Sequence, residues 1–467
     1  MMFMRFGCGS ILVLLIASSD ISGQEFYFGA DLSYINEMED CGAAYNVDGI
    51  ASDPYQIFSQ HCGNVVRLRL WHTPDWYDDL NDGKRYSDLA DVSLATMRAK
   101  DQQLDVLLNF HLSDTWADPA HQVIPAAWLP VVNNLPLLQD SLYNYIYTTL
   151  FRLGTMDLLP EFVQIGNETN RGILLTQEQN DAGWSLDWSR NSALFNTAIA
   201  AVRDIETFFS AEIKIAVHFA DPSQSVWYVD QFHQHGIDDF DIIGLSYYYQ
   251  WHEDLIEEVG QIISDYRMSY PGKEVMILET AYPWTSGNAD AANNLLSVPY
   301  PGYSPFTPAR QKQWLIDLTQ TVIDHGGSGV IYWEPGWVST SCHTQWAQGS
   351  SWDNATFFDH NHKLISAGGI GWMGHAYDFI SGVHESRDTD HFASILNDQL
   401  RIQPGGENEE EIIIRISSVN GSILLEKRIN NIGFHELNIS HLNPGGYVVT
   451  VIGMDGGIGS RWVFKVD

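Results

Sequence analysis

Two glutamates carry the sharpest chemical signal in the chain. Glu168 follows the apolar run Phe162 to Ile165 and the pair Gly166-Asn167, and Glu279 ends the run Val275-Met-Ile-Leu. An ionised carboxylate at the end of a buried strand is costly unless it is paired or put to use. Two facing carboxyls can break a glycosidic bond. One protonates the leaving oxygen, the other attacks the anomeric carbon, and a separation of about 5–5.5 Å gives retention through a covalent intermediate. The acid must hold its proton, which burial and an ionised neighbour both favour. On this reading Glu168 is the acid/base and Glu279 the nucleophile. Asn167 can hydrogen-bond a sugar hydroxyl beside the reacting carbon, and Tyr247 can hold the second oxygen of Glu279. Arg69 can keep Glu279 ionised, and Trp333 can form the floor under the sugar at the point of cleavage. Glu334 is a rival carboxylate, for which a place beside Pro335 favours a structural or substrate-binding role. Any one of these residues taken alone could equally be a satisfied core residue.

Such residues need elements to hold them. Eight near-continuous apolar runs begin at Phe26, Val65, Leu104, Phe162, Ile213, Asp241, Val275 and Gly329, as expected of parallel strands buried on both faces. Helical patterns lie between them: 89–100, 138–152, 192–209, 226–235, 255–266 and 307–325, with Gly236 and Gly326-Gly327 as stop signals. The predicted fold class is α/β, a (β/α)8 TIM barrel with a small C-terminal antiparallel β-sandwich. A doubly wound open sheet is the alternative, and the glycine-rich turn it usually shows after its first strand is absent. Barrel sites are built at the C-terminal strand ends. Those ends carry Asp31, Arg69 and Trp71, His111 with Asp114 and Trp116, Asn167 and Glu168, His218, Tyr247 and Tyr248, Glu279, and Trp333 with Glu334. Asp31, His111, Asp114, Trp116 and His218 thus join Asn167, Arg69, Tyr247 and Trp333 as candidate substrate-binding residues. From about Phe392 the register changes to short alternating strands separated by Asn420-Gly, Asn443-Pro-Gly-Gly446 and Asp455-Gly-Gly457. The expected organisation is a leader over 1–24, a catalytic barrel over 25–378, a linker over 379–391 and a β-sandwich over 392–467.

Composition removes several function classes. A formal net charge of −35 argues against nucleic acid and against anionic lipid as partners. Sixteen tryptophans suit sugar-stacking platforms as well as a core. Arg5 followed by the apolar Ile11 to Ala17 and small residues to Gly23 reads as a signal peptide, too short to span a bilayer, so export without a transmembrane anchor is expected. Cys41, Cys62 and Cys342 show no metal-ligand spacing. Cys41 and Cys62 could pair in an oxidising compartment, or all three could be inert thiols. No phosphate loop and no Gly-x-Ser-x-Gly elbow occurs.

Several stretches together resemble glycoside hydrolase family 53 of clan A: Phe28-Gly-Ala-Asp-Leu-Ser33, Val66-Arg-Leu-Arg-Leu-Trp71, Phe110-His-Leu-Ser-Asp-Thr-Trp-Ala-Asp-Pro119, Gln164-Ile-Gly-Asn-Glu168, Glu279-Thr-Ala-Tyr-Pro-Trp284, Tyr332-Trp-Glu-Pro-Gly-Trp337 and Trp352-Asp-Asn-Ala-Thr-Phe-Phe-Asp359. The resemblance spans about residues 26 to 370. It implies a retaining arabinogalactan endo-β-1,4-galactanase acting on the galactan side chains of pectin, with Glu168 and Glu279 matching acid/base and nucleophile. No cofactor is required. Some members bind calcium between the loops after strands seven and eight, but the first of these loops, 285–294, has Asp290 as its one carboxylate, so a tight site is not expected. Another clan A glycanase, a xylanase or mannanase, and a non-catalytic glycan-binding protein are the alternatives. The C-terminal region resembles sorting domains of type IX secretion substrates, through Leu437-Asn-Ile-Ser-His-Leu-Asn-Pro-Gly-Gly-Tyr447, with a carbohydrate-binding module as the alternative. This implies secretion machinery as a partner and a secreted or cell-surface location.

Overall fold

The computed structural model describes residues 26–181, 186–345 and 347–379, and in the C-terminal region 392–396, 399–403, 411–418, 423–430, 435–440, 442, 445–453 and 458–465. The expected signal peptide, nearly all of the expected linker, and the turns at Asn420-Gly, Asn443-Pro and Asp455-Gly-Gly457 lie outside the described residues. The chain divides into two compact units between Phe379 and Ile380.

In the first unit eight parallel strands close into a barrel. They are β1 (Tyr27–Asp31), β2 (Val65–Leu70), β3 (Asp105–Phe110), β4 (Phe162–Ile165), β5 (Lys214–Ala220), β6 (Ile242–Ser246), β7 (Glu274–Thr280) and β8 (Gly329–Tyr332). Each pairs with its sequence neighbours, and β8 closes the ring on β1 with Tyr27 opposite Gly329. The outer ring contains α1 (Pro54–Gln60), α2 (Leu89–Asp101), α3 (Leu135–Thr155), α4 (Trp188–Phe209), α5 (Pro222–Gln234), α6 (Ile256–Ser269) and α7 (Pro308–Asp324). The starts of α2, α4 and α7 are fixed by Asp88, Asp187 and Thr307, whose side chains accept from backbone N–H groups of the first turn. After β8 a 3-10 turn at Gly369–Trp372 packs on α7, and the Trp372 ring lies 5.5 Å from that of Phe28 on β1.

Strand parity sorts the side chains. Tyr27, Val65, Leu107, Phe162, Ala216, Ile242, Met276, Leu278 and Ile331 fill the barrel interior as one cluster, while their strand neighbours pack outward against the helices. Counting on by twos from these interior positions predicts what reaches the mouth: Asp31, Arg67 and Arg69, His111, His218, Ser246 and Tyr248, and Trp333. β7 is the exception. Leu245 on β6 is level with Ile277, but the next residue, Ser246, is level with Glu279, and the register with β8 slips at the same place. This bulge lets Leu278 point inward and Glu279 still reach the mouth, since a bulge re-aims the residue that follows it. Gly244 makes room, because a Cβ there would lie 2.2 Å from Leu278 Cδ1.

The second unit contains a three-stranded sheet of β9 (Phe392–Leu396), β10 (Gln399–Gln403) and β13 (His435–Asn438), and a four-stranded sheet ordered β12-β11-β14-β15 from β11 (Glu411–Ser418), β12 (Ile423–Asn430), β14 (Gly445–Gly453) and β15 (Ile458–Lys465). All pairings are antiparallel. Leu400, Ile414, Ile416, Leu437, Ile439, Leu442 and Val449 form its core, separate from that of the barrel.

Candidate active site

Glu279 leaves β7 at the bulge with 6% of its surface exposed. Arg67 on β2 puts one nitrogen, Nη1, 2.8 Å from Glu279 Oε1 and 2.8 Å from Asp31 Oδ2. The Tyr248 hydroxyl donates to Glu279 Oε2 at 3.4 Å. The guanidinium that holds Glu279 is therefore Arg67 and not Arg69, and the phenol is Tyr248 and not Tyr247. Parity explains both corrections. Arg67 and Arg69 both face inward, but Arg67 sits one layer deeper, level with Asp31. Tyr247 is an outward position: its hydroxyl donates to Asp254 O at 2.7 Å and its ring stacks on Trp314 of α7. Arg69 is spent on Glu334, with Nη1 to Oε1 at 3.0 Å, and is enclosed by the rings of Tyr34, Trp71 and Trp116 at 4.8, 4.5 and 4.2 Å. Glu334 also accepts from Tyr34 N at 3.3 Å, so the rival carboxylate is a buried structural partner.

Glu168 stands half-buried at the end of β4 with φ 47° and ψ 55°, a left-handed conformation that a residue other than glycine holds only where its surroundings enforce it. The surroundings here are dense. Gln122 Nε2 donates to the carbonyls of Asn167 and Glu168 at 2.7 and 3.1 Å. Glu168 N donates to His218 Nδ1 at 3.3 Å, and Gln164 Nε2 lies 3.0 Å from the same nitrogen. Gln164 Oε1 accepts from Arg67 Nε, which fixes its amide and makes Nε2 a donor. Asn167 Oδ1 also lies 3.1 Å from Nδ1 but already takes three donors, so the two donors on Nδ1 make it the bare nitrogen of His218 and leave the proton on Nε2, facing Ser246 Oγ 3.0 Å away. The Ser246 hydroxyl also acts on the Glu168 carboxyl, lowering its pKa. Burial and the Arg67 charge hold His218 well below its ordinary pKa, so the ring is neutral. Asn167 Oδ1 accepts from Arg67 Nη2 at 2.6 Å, Asn109 Nδ2 at 3.1 Å and Gln164 Nε2 at 3.2 Å, and its Nδ2 donates to Ala117 O at 2.8 Å.

Electrostatics separate the two carboxyls. Burial pushes both above the ordinary range. Only Glu279 has a guanidinium against it, which favours its anion, and that anion raises Glu168 further. The pair thus shares one proton and keeps it on Glu168.

Of the remaining candidates, Asp31 is wholly buried and takes Ser33 N and Oγ on its other oxygen. His111 is buried at the end of β3 with neither ring nitrogen bonded, and burial with the Arg69 and Arg67 charges keeps it neutral. Trp333 and Trp116 are half-buried at the mouth with ring centres 5.8 Å apart, and Trp352 lies 4.6 Å beyond Trp333. Asp114 is placed differently from expectation. Its two oxygens accept from Thr73 N and Ala126 N at 2.9 and 2.7 Å, so it ties loops together at the mouth. Sequence reasoning passed over Arg67, Ser246, Gln122 and Trp352. Parity could have found the first two; nothing local marks Gln122.

The loops after β7 and β8 are joined directly. Asp290 Oδ1 and Oδ2 accept from Ala292 N and Ser350 N at 2.8 and 2.7 Å, and Ala289 N donates to Asp353 Oδ2 at 2.7 Å. The one carboxylate of the loop after β7 is thus committed to backbone N–H groups. Cys41, in the loop after β1, is bonded to Cys342, in the loop after β8, which departs from both readings left open, a Cys41–Cys62 pair and inert thiols.

Comparison with known proteins bears on this geometry. The family profile described as glycosyl hydrolase family 53 matches residues 27–368, and the one described as a secretion system C-terminal sorting domain matches 396–465. The chain is 44% identical over 357 residues to an arabinogalactan endo-beta-1,4-galactanase of Cellvibrio japonicus (strain Ueda107), covering 76% of this chain and 92% of that one. It is 31% identical to an arabinogalactan endo-beta-1,4-galactanase of Humicola insolens, covering 73% and 97%. The fold matches a GH53 catalytic domain of Ignisphaera aggregans with TM-score 0.67 and 27% identity, over 78% of this chain and 100% of that one. It matches a structure from a study of two fungal beta-1,4-galactanases with TM-score 0.62 and 26% identity, over 75% and 99%. With a closed barrel, two glutamates at the ends of β4 and β7, and a match running through every barrel strand, the chain belongs to glycosyl hydrolase family 53.

Proposed function

We propose that the protein is an exported, retaining endo-β-1,4-galactanase that cuts the galactan of type I arabinogalactans. The observation that carries the mechanism is the unequal treatment of two carboxyls in one mouth: Arg67 lies against Glu279 and leaves the proton on Glu168. Glu279 attacks the anomeric carbon, Glu168 gives its proton to the departing O4, and a covalent galactosyl-enzyme forms. Glu168, now a base, activates water to release the sugar. Galactan as substrate is supported by the relatives, which are named for it. His111, Trp116, Trp333 and the second N–H of Asn167 receive the sugar, and the chemistry calls on no cofactor. Export is supported by the sorting-domain match and by the leader-like N-terminus; no helix among the described residues is long and apolar enough to cross a membrane. The secretion machinery is the partner this implies, through the C-terminal unit.

The test is a panel of β-1,4-galactan, xylan and mannan with product sizes read by chromatography. Galactan cut internally, with the others untouched, is expected. Glu279→Gln should lower turnover by roughly 10³-fold or more while galactan binding is kept; near wild-type turnover in that variant would sink the assignment.

A further inference from the structure

A row of aromatic rings runs down the outside of the barrel, where α3 meets α4. Tyr143, Tyr147 and Phe151 stand four residues apart on α3, so they lie one above another on one face of the helix. Their ring centres are 5.8 and 6.2 Å apart, and neighbouring planes are 12° and 13° from parallel. That is the spacing of offset rings and not of a face-to-face pile. All three rings are half-buried. The Tyr143 hydroxyl donates to Asp204 on α4, which pins the first of them. Phe208 on α4 continues the row, with its ring 5.2 Å from Phe151 and 59% of its surface exposed. Its neighbour Phe209 serves the packing of the helices: it fills the space at Gly154, where a Cβ would lie 2.5 Å from its ring. A single exposed ring needs no explanation, but one joined to three half-buried rings makes a patch. The patch is remote from the mouth. α3 and α4 run back from the mouth toward the starts of β4 and β5, and Phe151 and Phe208 stand near the ends of these helices, while Glu168 and Glu279 lie at the opposite end of the barrel.

We propose that this face is a second binding site for β-1,4-galactan, separate from the catalytic mouth, which holds the polymer while the mouth cuts it. The choice of ligand rests on the galactanase reading above. Galactose in this linkage is joined through an axial O4, so the C–H groups on the opposite face of each unit stay free to lie on an aromatic ring. A polymer offers that face again at every unit, and a row of near-parallel rings spaced on the scale of one sugar meets several units together. Asn144 and Arg152, both exposed and each one residue on from a ring of the row, supply donors for the hydroxyls. Charge sets this ligand above the other candidate occupant, a second copy of the chain. Two copies at a net charge of −35 repel one another, whereas galactan is neutral. Each ring contact is weak, and the site acts by avidity: polymer held on the flank raises the local concentration of bonds at the mouth. It therefore matters for polymer and not for a short oligosaccharide.

The test uses the full chain and compares soluble β-1,4-galactopentaose with insoluble galactan. Adsorption to the insoluble polymer is measured in the Glu279→Gln background, so that the polymer is not consumed. Tyr147→Ala combined with Phe208→Ala should weaken adsorption about tenfold and slow the cutting of insoluble galactan to a similar degree, a magnitude set by the loss of two ring contacts. In the same double variant kcat/KM on the pentaose should stay at the wild-type value. Phe208→Ala alone, at an exposed position that folding does not depend on, should weaken adsorption about threefold, and Tyr147→Phe should keep it. Unchanged adsorption in the double variant, or an equal fall on pentaose and polymer, overturns the second site. So does a wild-type chain that sediments as a dimer and becomes a monomer in the double variant, which would make the face an interface between copies. Wild-type enzyme inert on pentaose and polymer alike would instead strike the galactanase reading, and the proposed ligand with it.

Discussion

Ser246 is the smallest side chain in the relay that sets the acid. Its Oγ lies 3.0 Å from His218 Nε2, and its hydroxyl lowers the Glu168 pKa against burial and the Glu279 charge. Activity needs Glu279 ionised and Glu168 protonated, so the pH profile is a bell whose acid limb reports Glu279 and whose alkaline limb reports Glu168. Removing the hydroxyl in Ser246→Ala frees Glu168 to rise further. The alkaline limb should move to higher pH with the acid limb little changed, as read from kcat/KM against pH. The converse holds at Arg67. Its charge lowers Glu279, so in Arg67→Gln the acid limb should move to higher pH and kcat/KM should fall by roughly 10²-fold, since Asp31 also loses its partner. The positions of Glu168 and Glu279 were legible in the sequence because a carboxylate after a buried run is expensive and stands out. The identity of their partners was less so. Tyr247 and Tyr248 are adjacent and alike, and only the inward set containing Ile242 and Gly244 tells which of them faces the site. Arg67 and Arg69 share a face, and depth, which depends on the stagger of β1 against β2, decides between them.

At the level of elements, the β7 bulge is what converts a strand into an active-site arm. Without the extra residue, a strand that puts Met276 and Leu278 inside would turn Glu279 toward the helices. The bulge depends on Leu278 fitting over Gly244. A methyl group there would press on Leu278 Cδ1, so Gly244→Ala should cost about 1–3 kcal/mol in urea unfolding. It should also lower kcat by more than it raises KM, because the displaced atom is one residue from the nucleophile. Leu278→Ala in the same background should return part of the lost kcat, and no return would count against this coupling. The disulfide acts on different elements. Cys41–Cys342 fastens the loop after β1 to the loop after β8 across 301 residues of chain. Reduction, or Cys41→Ser with Cys342→Ser, should cost about 2–4 kcal/mol in the same unfolding assay. The alternating helices and strands were readable because parallel strands buried on both faces leave long apolar runs. Three short strands of the sandwich, β9, β10 and β13, were not, since four or five residues carry too little period to stand out. The bulge and the disulfide were not readable either, because both are set by partners far away in the chain.

On the scale of the whole molecule, the two units answer different demands. Every group placed at the site lies between Asp31 and Trp352, inside the first unit, and the hydrophobic core that supports them is separate from that of the sandwich. The sandwich core is small and built from Leu, Ile and Val. A sorting role is favoured over a carbohydrate-binding one by the secretion sorting-domain profile that matches 396–465. A chain ended after Phe379 should therefore keep kcat/KM on soluble galactan within about twofold of the full chain, as expected when few functional contacts cross a domain boundary. In a host with the matching secretion machinery, the same truncation should leave the enzyme inside the cell envelope while the full chain reaches the surface or the medium, measured as galactanase activity in each fraction. Should the truncated chain lose activity on insoluble galactan alone and still be exported, the sandwich is a binding module after all. The net charge of −35 adds a second, independent expectation. An acidic surface has little attraction for acidic pectin backbones, so the enzyme should work on the neutral side chains without being held by the main chain, and added polygalacturonate should not inhibit it at 0.15 M salt or below.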